Sequence, residues 1–229
     1  MTTSVIEALD NIKSLEMFDD EELYFIGGTA LSYYLEHRIS EDIDIVSTKP
    51  LPYKKIISVV SSIGGRKLRD ENVVALRMAG LFPDEYMLKF DLHGVKLEFF
   101  RASTSLQQNI LKNAESTQYL ESSISILDVK SIAKLKLIAL LSRYKSRDLF
   151  DFKVILEQTI LSKEDIIDVS VKVKQELNTI KSLYTFIEQL EQPKDDEVVY
   201  LDENHPINLT FEDIKRDTLL ILNNPFFKE

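Results

Sequence analysis

One stretch constrains the fold more than any other: Tyr24 to Ser47, which reads YFIGGTALSYYLEHRISEDIDIVS. The apolar run Leu23 to Ile26 is stopped by Gly27 and Gly28, a helix-forming run follows from Thr29 to about Glu36, and acids then alternate with isoleucines in DIDIV. The spacing predicts strand, tight turn, helix and strand in immediate succession. In an extended chain residues i and i+2 share a face, so Asp42 and Asp44 project side by side while Ile43 and Ile45 turn into a core. Two adjacent carboxylates repel one another unless a cation sits between them. Mg²⁺ suits that role, because it is a hard cation bound by one or two carboxylates together with phosphate oxygens. An exposed amphipathic strand has the same pattern, so the pair alone does not decide. The glycines add a helix start whose free N–H groups can hold a phosphate, or else a simple strand-to-helix turn. Neither GxxxxGK[ST] nor GxGxxG occurs anywhere in the chain.

The rest of the chain divides by character near residue 125. Before it, helices and strands interleave. Ser4 and Glu7 have capping-box spacing, and Val5, Leu9 and Ile12 form one apolar face, which predicts a first helix from Ser4. LPYKKIISVVSSIGG reads as a helix stopped by Gly64 or Gly65. NVVALRMA and YMLKFDLHGVKLEFF read as strands, with His93-Gly94 as a hairpin turn. After residue 125 the spacing is helical: DVKSIAKLKLIALLSRYKSRDLFDFKVILEQTI, then a helix capped by Ser162 toward Asp165 and running to about Gln192. EQPKDDEVVYLDENHP reads as an acidic, solvated connector, and a last helix is expected near residues 210 to 222. The predicted architecture is an α/β core over 1–125 and a helical C-terminal lobe over 126–229, with a cleft between them.

A third carboxylate is available in GVKLEFF. Glu98 faces away from Val95, Leu97 and Phe99, and two-metal phosphoryl transfer uses a further acid from another strand. Asp91, one strand earlier in the same hairpin, is its rival. Glu98 has a second reading as a surface acid paired with Lys96 or Lys89. Between Ile126 and Asp151 six basic residues face three acids, a local excess of three in a chain of net charge −10. That asymmetry suggests an anion site. On one continuous helix Lys136, Arg143, Arg147 and Asp151 would share a stripe. Lys136, set among apolar neighbours, reads either as a point charge for phosphates or as a lysine whose stem covers apolar surface while its ammonium reaches water.

Composition narrows the setting. No cysteine is present, which removes disulfides, thiolate metal sites and cysteine catalysis and fits a reducing cytoplasm. No apolar run approaches a membrane span, no signal peptide is predicted at MTTSVIEALDNIK, and the acidic balance argues against broad, sequence-independent grip on nucleic acid.

Taken together, GGTALSYYLEHRISEDIDIV and KLIALLSRYKSRDLFDF resemble the two motifs of the AbiEii/AbiGii toxin family, within the polymerase-β-like nucleotidyltransferase superfamily. In that pattern a glycine pair precedes Asp-x-Asp, here with 13 residues between Gly28 and Asp42. The run His37, Arg38, Ser40, Asp42, Asp44 carries the likeness further. The resemblance implies a mixed-sheet nucleotidyltransferase core and a helical lobe. It implies that Asp42 and Asp44 are the metal ligands, for Mg²⁺; the third ligand is not fixed by either motif, and the strand reading offers Glu98 for it, with Asp91 as rival. Gly27, Gly28 and Thr29 would contact nucleotide phosphates, Lys136 would neutralise triphosphate charge, Asp151 would complete the later motif, and Arg143 would adjoin the nucleotide. The implied reaction is transfer of a nucleoside monophosphate from an NTP to an acceptor such as tRNA or protein, in a toxin with a cognate antitoxin. The alternatives are a catalytically silent nucleotide- or partner-binding relative and an aminoglycoside-type, small-molecule transferase.

Overall fold

The computed structural model describes residues 1–20, 22–69, 77–78, 80, 82–194, 200–202 and 205–227. The chain forms two compact units, Met1–Asp128 and Val129–Glu229. In the first, helix α1 (Thr3–Ile12) buries Val5, Ala8, Leu9 and Ile12. Its cap is Thr2, whose hydroxyl accepts from the Val5 amide, so the helix starts one residue earlier than the Ser4–Glu7 spacing suggests. A short helix α2 (Met17–Asp20) leads to strand β1 (Leu23–Ile26), helix α3 (Gly27–Leu35) and strand β2 (Asp42–Ser47). Helix α4 (Tyr53–Ser62) ends where Gly64 takes φ +89°, with the Gly64 and Gly65 amides donating back to Ser61 and Val60. Strand β3 (Arg66–Lys67), a 3₁₀ turn (Pro83–Glu85), strands β4 (Met87–Leu92) and β5 (Val95–Arg101), helix α5 (Ser105–Asn113) and strands β6 (Ser116–Gln118) and β7 (Ser125–Leu127) complete the unit. Of the predicted strand NVVALRMA, residues 72–76 and 79 lie outside the described residues, and Arg77 and Met78 are helical. His93 and Gly94 both have positive φ, 53° and 87°, as a two-residue hairpin turn of the mirror-image type requires.

The seven strands form one mixed sheet in the order β3-β4-β5-β2-β1-β7-β6. Strands β2 and β5 pair in parallel, as do β1 and β7, and the other neighbours are antiparallel. One face carries Phe25, Ile43, Ile45, Phe90, Leu97 and Phe99, all fully buried. Helices α1 and α4 pack on the sheet with their own apolar residues. Burying each such side chain stabilises the fold by about 1.5–3 kcal/mol, so a one-residue slip of β2, which would exchange Ile43 and Ile45 for Asp42 and Asp44, is strongly disfavoured. The hydrophobic pattern thereby sets where the carboxylates point.

Among the described residues the regular structure of the second unit is helical except for a small antiparallel pair, β8 (Tyr200–Asp202) and β9 (His205–Pro206), inside the acidic connector. Residues 195–199 and 203–204 of that connector lie outside the described residues. Helices α6 (Val129–Arg143) and α7 (Ser146–Glu157) are separate, because Tyr144 turns the chain with φ 55°. The Tyr144 ring sits against Phe186 at 5.7 Å, and its hydroxyl accepts from Lys174 Nζ at 2.6 Å, which pins the turn. The long helix expected from Ser162 to Gln192 is instead two, α8 (Lys163–Val173) and α9 (Ile180–Glu188). Lys174 is extended, and Thr179 opens α9 through a capping box with Ser182. The Thr179–Ser182 spacing in the sequence is the local signal for that break. Helix α10 (Phe211–Leu222) begins at a Thr210–Asp213 capping box.

Candidate active site

Strand alternation places Asp42 and Asp44 on the sheet face opposite the buried isoleucines, each half-buried. The register adds neighbours that are distant in sequence. In the parallel pair β2/β5, Asp42 lies opposite Lys96 and Asp44 opposite Glu98. In β4/β5, Lys89 lies opposite Glu98 and Asp91 opposite Lys96. Glu98 is therefore the acid beside Asp44, whereas Asp91 is a further strand away. The Asp91 carboxylate is engaged elsewhere, with Arg66 at 2.9 Å and the Gly94 amide at 2.8 Å. Those two hydrogen bonds, the Arg66 one first, hold the Asp91 pKa below the usual carboxylate value.

Glu98 is not an open ligand in this structure. Lys96 Nζ stands 2.9 Å from one of its oxygens and Lys89 Nζ 3.4 Å from the other. Burial works against the Lys96 ammonium, but the hydrogen bond and charge of Glu98, with the charges of Asp42 and Asp44, outweigh it and raise the Lys96 pKa. Among the described residues no group of three or more His, Cys, Asp or Glu side chains is arranged to hold a metal ion.

The two glycines, alike in sequence, differ in role. Gly27 has φ +85°, and a Cβ there would lie 2.1 Å from Asp44 Oδ2 and 2.8 Å from its Cγ. The backbone of the turn therefore rests directly on the second aspartate, a fit that only glycine allows. Gly28 is buried inside the first turn of α3, and no side chain caps that helix start. Thr29 is fully buried, and its hydroxyl donates to the Asp42 carbonyl. That hydroxyl anchors the start of β2. His37 and Arg38 are both buried in the loop before β2, with an Arg38 guanidinium nitrogen donating to the Ile39 carbonyl at 2.7 Å.

For a divalent ion, the pair Asp42/Asp44 supplies the hard oxygen donors that Mg²⁺ takes, and the Gly27 cradle leaves the Asp44 carboxylate room that a side chain would fill. The donor chemistry fits.

In the helical unit the second motif forms a buried charge group. Lys136 is 7% exposed, with its ammonium 2.8 Å from Asp151 Oδ2 and 4.0 Å from Asp148 Oδ1. Arg143 forks Asp148 at 2.6 and 2.8 Å. Asp148 and Asp151 are both fully buried. The continuous stripe expected of Lys136, Arg143, Arg147 and Asp151 does not form, since α6 ends at Arg143; Lys136 and Asp151 meet instead across the α6–α7 hairpin. Asp151 positions Lys136 rather than facing solvent.

A profile of the nucleotidyl transferase AbiEii toxin family, of the type IV toxin–antitoxin system, matches residues 14–217. The chain belongs to that family. It is accordingly a nucleotidyltransferase. An uncharacterised protein of Aquifex aeolicus is 28% identical over 207 residues, 86% of this chain and 88% of that one. A crystal structure of a putative nucleotidyltransferase from H. pylori superposes with a TM-score of 0.50 at 15% identity, over 96% of this AbiEii-family chain and 94% of the other, and shares its fold. The structure of JHP933 from Helicobacter pylori gives 0.49 at 15% identity, over 96% and 91%. Among the described residues no helix is long and apolar enough to cross a membrane.

Proposed function

We propose that this AbiEii-family protein transfers a nucleoside monophosphate from an NTP to an acceptor, tRNA or protein, with Mg²⁺ as cofactor. The acceptor oxygen would form a bond to the α-phosphorus, and the bond from that phosphorus to the bridging oxygen would break, releasing pyrophosphate. In the cell the protein would be the cytoplasmic toxin of a toxin–antitoxin pair, checked by a cognate antitoxin. The observation that carries the reading is the Gly27–Asp44 contact: it sets the start of α3 against the Asp42/Asp44 pair on the sheet face opposite the core. The free amides of the first turn suit phosphate oxygens, and the adjacent carboxylates suit the ion that accompanies them. Asp42 and Asp44 would hold Mg²⁺, with Glu98 the next acid in register. When bound, the ion supplies charge that neutralises the phosphate oxygens as the bond breaks. Lys136 enters the proposal as a charge for the triphosphate, with Asp151 orienting it and Arg143 securing Asp148.

The test incubates the protein with each of four labelled NTPs, Mg²⁺, and total cellular RNA and protein. Label should enter one macromolecular fraction with one preferred nucleotide and should be lost in Asp44→Ala. Equal labelling by that variant would overturn the mechanism. The ion pairs of Glu98 with Lys89 and Lys96 favour one rival, a silent nucleotide-binding relative. That rival would show an NTP-dependent thermal shift and no label transfer.

A further inference from the structure

We propose that Lys96 is a resident counter-ion of the carboxylate face, standing where it must give way when a divalent ion binds. The proposal rests on the reading of Asp42 and Asp44 as the metal ligands. Lys96 lies opposite Asp42 in the parallel β2/β5 pair and two residues before Glu98 on the same strand face. Its ammonium is 2.9 Å from Glu98 Oε2, and its side chain is 42% exposed. Three acids on adjacent positions of two strands carry a repulsion that a cation must relieve. The chain supplies part of that positive charge itself, so the repulsion is already reduced before any metal arrives. The cost is competition. A divalent ion entering beside Asp42 meets a positive charge tethered to the neighbouring strand, whose backbone lies about 5 Å away, and that charge lowers the affinity of the metal alone. An incoming triphosphate, carrying its own negative charge, would shift that balance toward the metal. Lys89, on the other Glu98 oxygen at 3.4 Å, holds Glu98 from the far side. Lys96 is in this sense a positioning residue for Glu98 and a threshold for metal entry.

The test measures Mn²⁺ binding to the full chain, without nucleotide, by the electron paramagnetic resonance signal of free Mn²⁺. Lys96→Met should bind Mn²⁺ about tenfold more tightly than wild type, the size expected for removing a unit charge about 5 Å from a divalent ion in water-like surroundings. Lys96→Arg should keep the wild-type affinity. In EDTA the Lys96→Met variant should melt below wild type, and saturating Mn²⁺ should narrow the gap. A plain surface ion pair would leave the Mn²⁺ affinity of Lys96→Met unchanged, and that result overturns the proposal. If wild type binds Mn²⁺, Asp44→Asn abolishes binding, and Lys96→Met changes nothing, this inference falls while the metal reading stands. If neither wild type nor Lys96→Met binds Mn²⁺, both fall. Lys96→Gln removes the charge, retains a hydrogen-bond donor for Glu98, and is read by the same criteria should Lys96→Met fail to fold.

Discussion

At the scale of single residues, the site depends on a backbone position and an atom-to-atom fit. Gly27 combines a positive φ with a Cβ direction that runs into the Asp44 carboxylate. Gly27→Ala therefore carries two penalties, the left-handed backbone cost of about 1–2 kcal/mol and a displaced Asp44. Chemical denaturation should show a destabilisation of about that size, and label transfer should be lost even where the variant is fully folded. Activity near wild type in a folded Gly27→Ala protein would refute the cradle. Thr29 acts at the same scale, since its buried hydroxyl fixes the Asp42 carbonyl and with it the start of β2. Gly28 does not share the positive φ of Gly27, and the sequence, which shows two adjacent glycines, does not distinguish them.

At the scale of elements, the helical unit is held by caps tied to ion pairs. Asp165 closes the capping box that opens α8 and also receives Lys130 at 2.8 Å and Lys134 at 2.9 Å from α6. Burial opposes its charge, but the two ammonium groups and the Ser162 contacts outweigh that and depress its pKa well below the usual carboxylate value. A carboxylate with a depressed folded pKa contributes stability that is fully present above its unfolded pKa of about 3.9 and is lost as pH falls through the folded value. Asp165→Asn should therefore lower the melting temperature at neutral pH, and the gap to wild type should shrink as pH is taken from about 4 downward. A gap that stays constant over that range would show that the ion pairs are not its source. The α6–α7 hairpin is the other decisive element. A continuous helix would have placed Arg147 and Asp151 on a stripe with Lys136. The turn at Tyr144, packed on Phe186 and bonded to Lys174, brings Asp151 onto Lys136 directly.

At the scale of the whole molecule, the protein is two units, each with its own core, and each motif lies within one of them. The acidic pair belongs to the sheet unit and the Lys136–Asp151 group to the helical one. Removing Asp151 takes away the nearer partner of the buried Lys136 ammonium and leaves it Asp148 at 4.0 Å. Asp151→Ala should therefore destabilise by about 3–5 kcal/mol, with amide exchange accelerating across residues 129–229. Asp44→Ala, on a half-buried sheet face, should cost far less stability while removing transfer. A small stability change in Asp151→Ala would mean the pair is not the support it is taken for.

The sequence by itself determined the local elements and the direction of their faces. The strand at Leu23–Ile26, the glycine turn, the alternation of Asp42 and Asp44 with Ile43 and Ile45, the His93-Gly94 hairpin, the cap at Ser162 and the last helix near residues 210 to 222 all follow from spacing over a few residues. The two motifs, read together, also pointed to the nucleotidyltransferase family. What spacing could not reach was every pairing between segments far apart. That Glu98 rather than Asp91 lies beside Asp44, that Lys96 faces Asp42, and that Thr29 binds the Asp42 carbonyl depend on the parallel register of β2 and β5 and on how α3 packs. Register between distant strands is set by burying the whole apolar face at once, and the meeting of Lys136 with Asp151 by where a helix turns back on itself. Those are properties of the packed core, so only the tertiary structure decides which charges become neighbours.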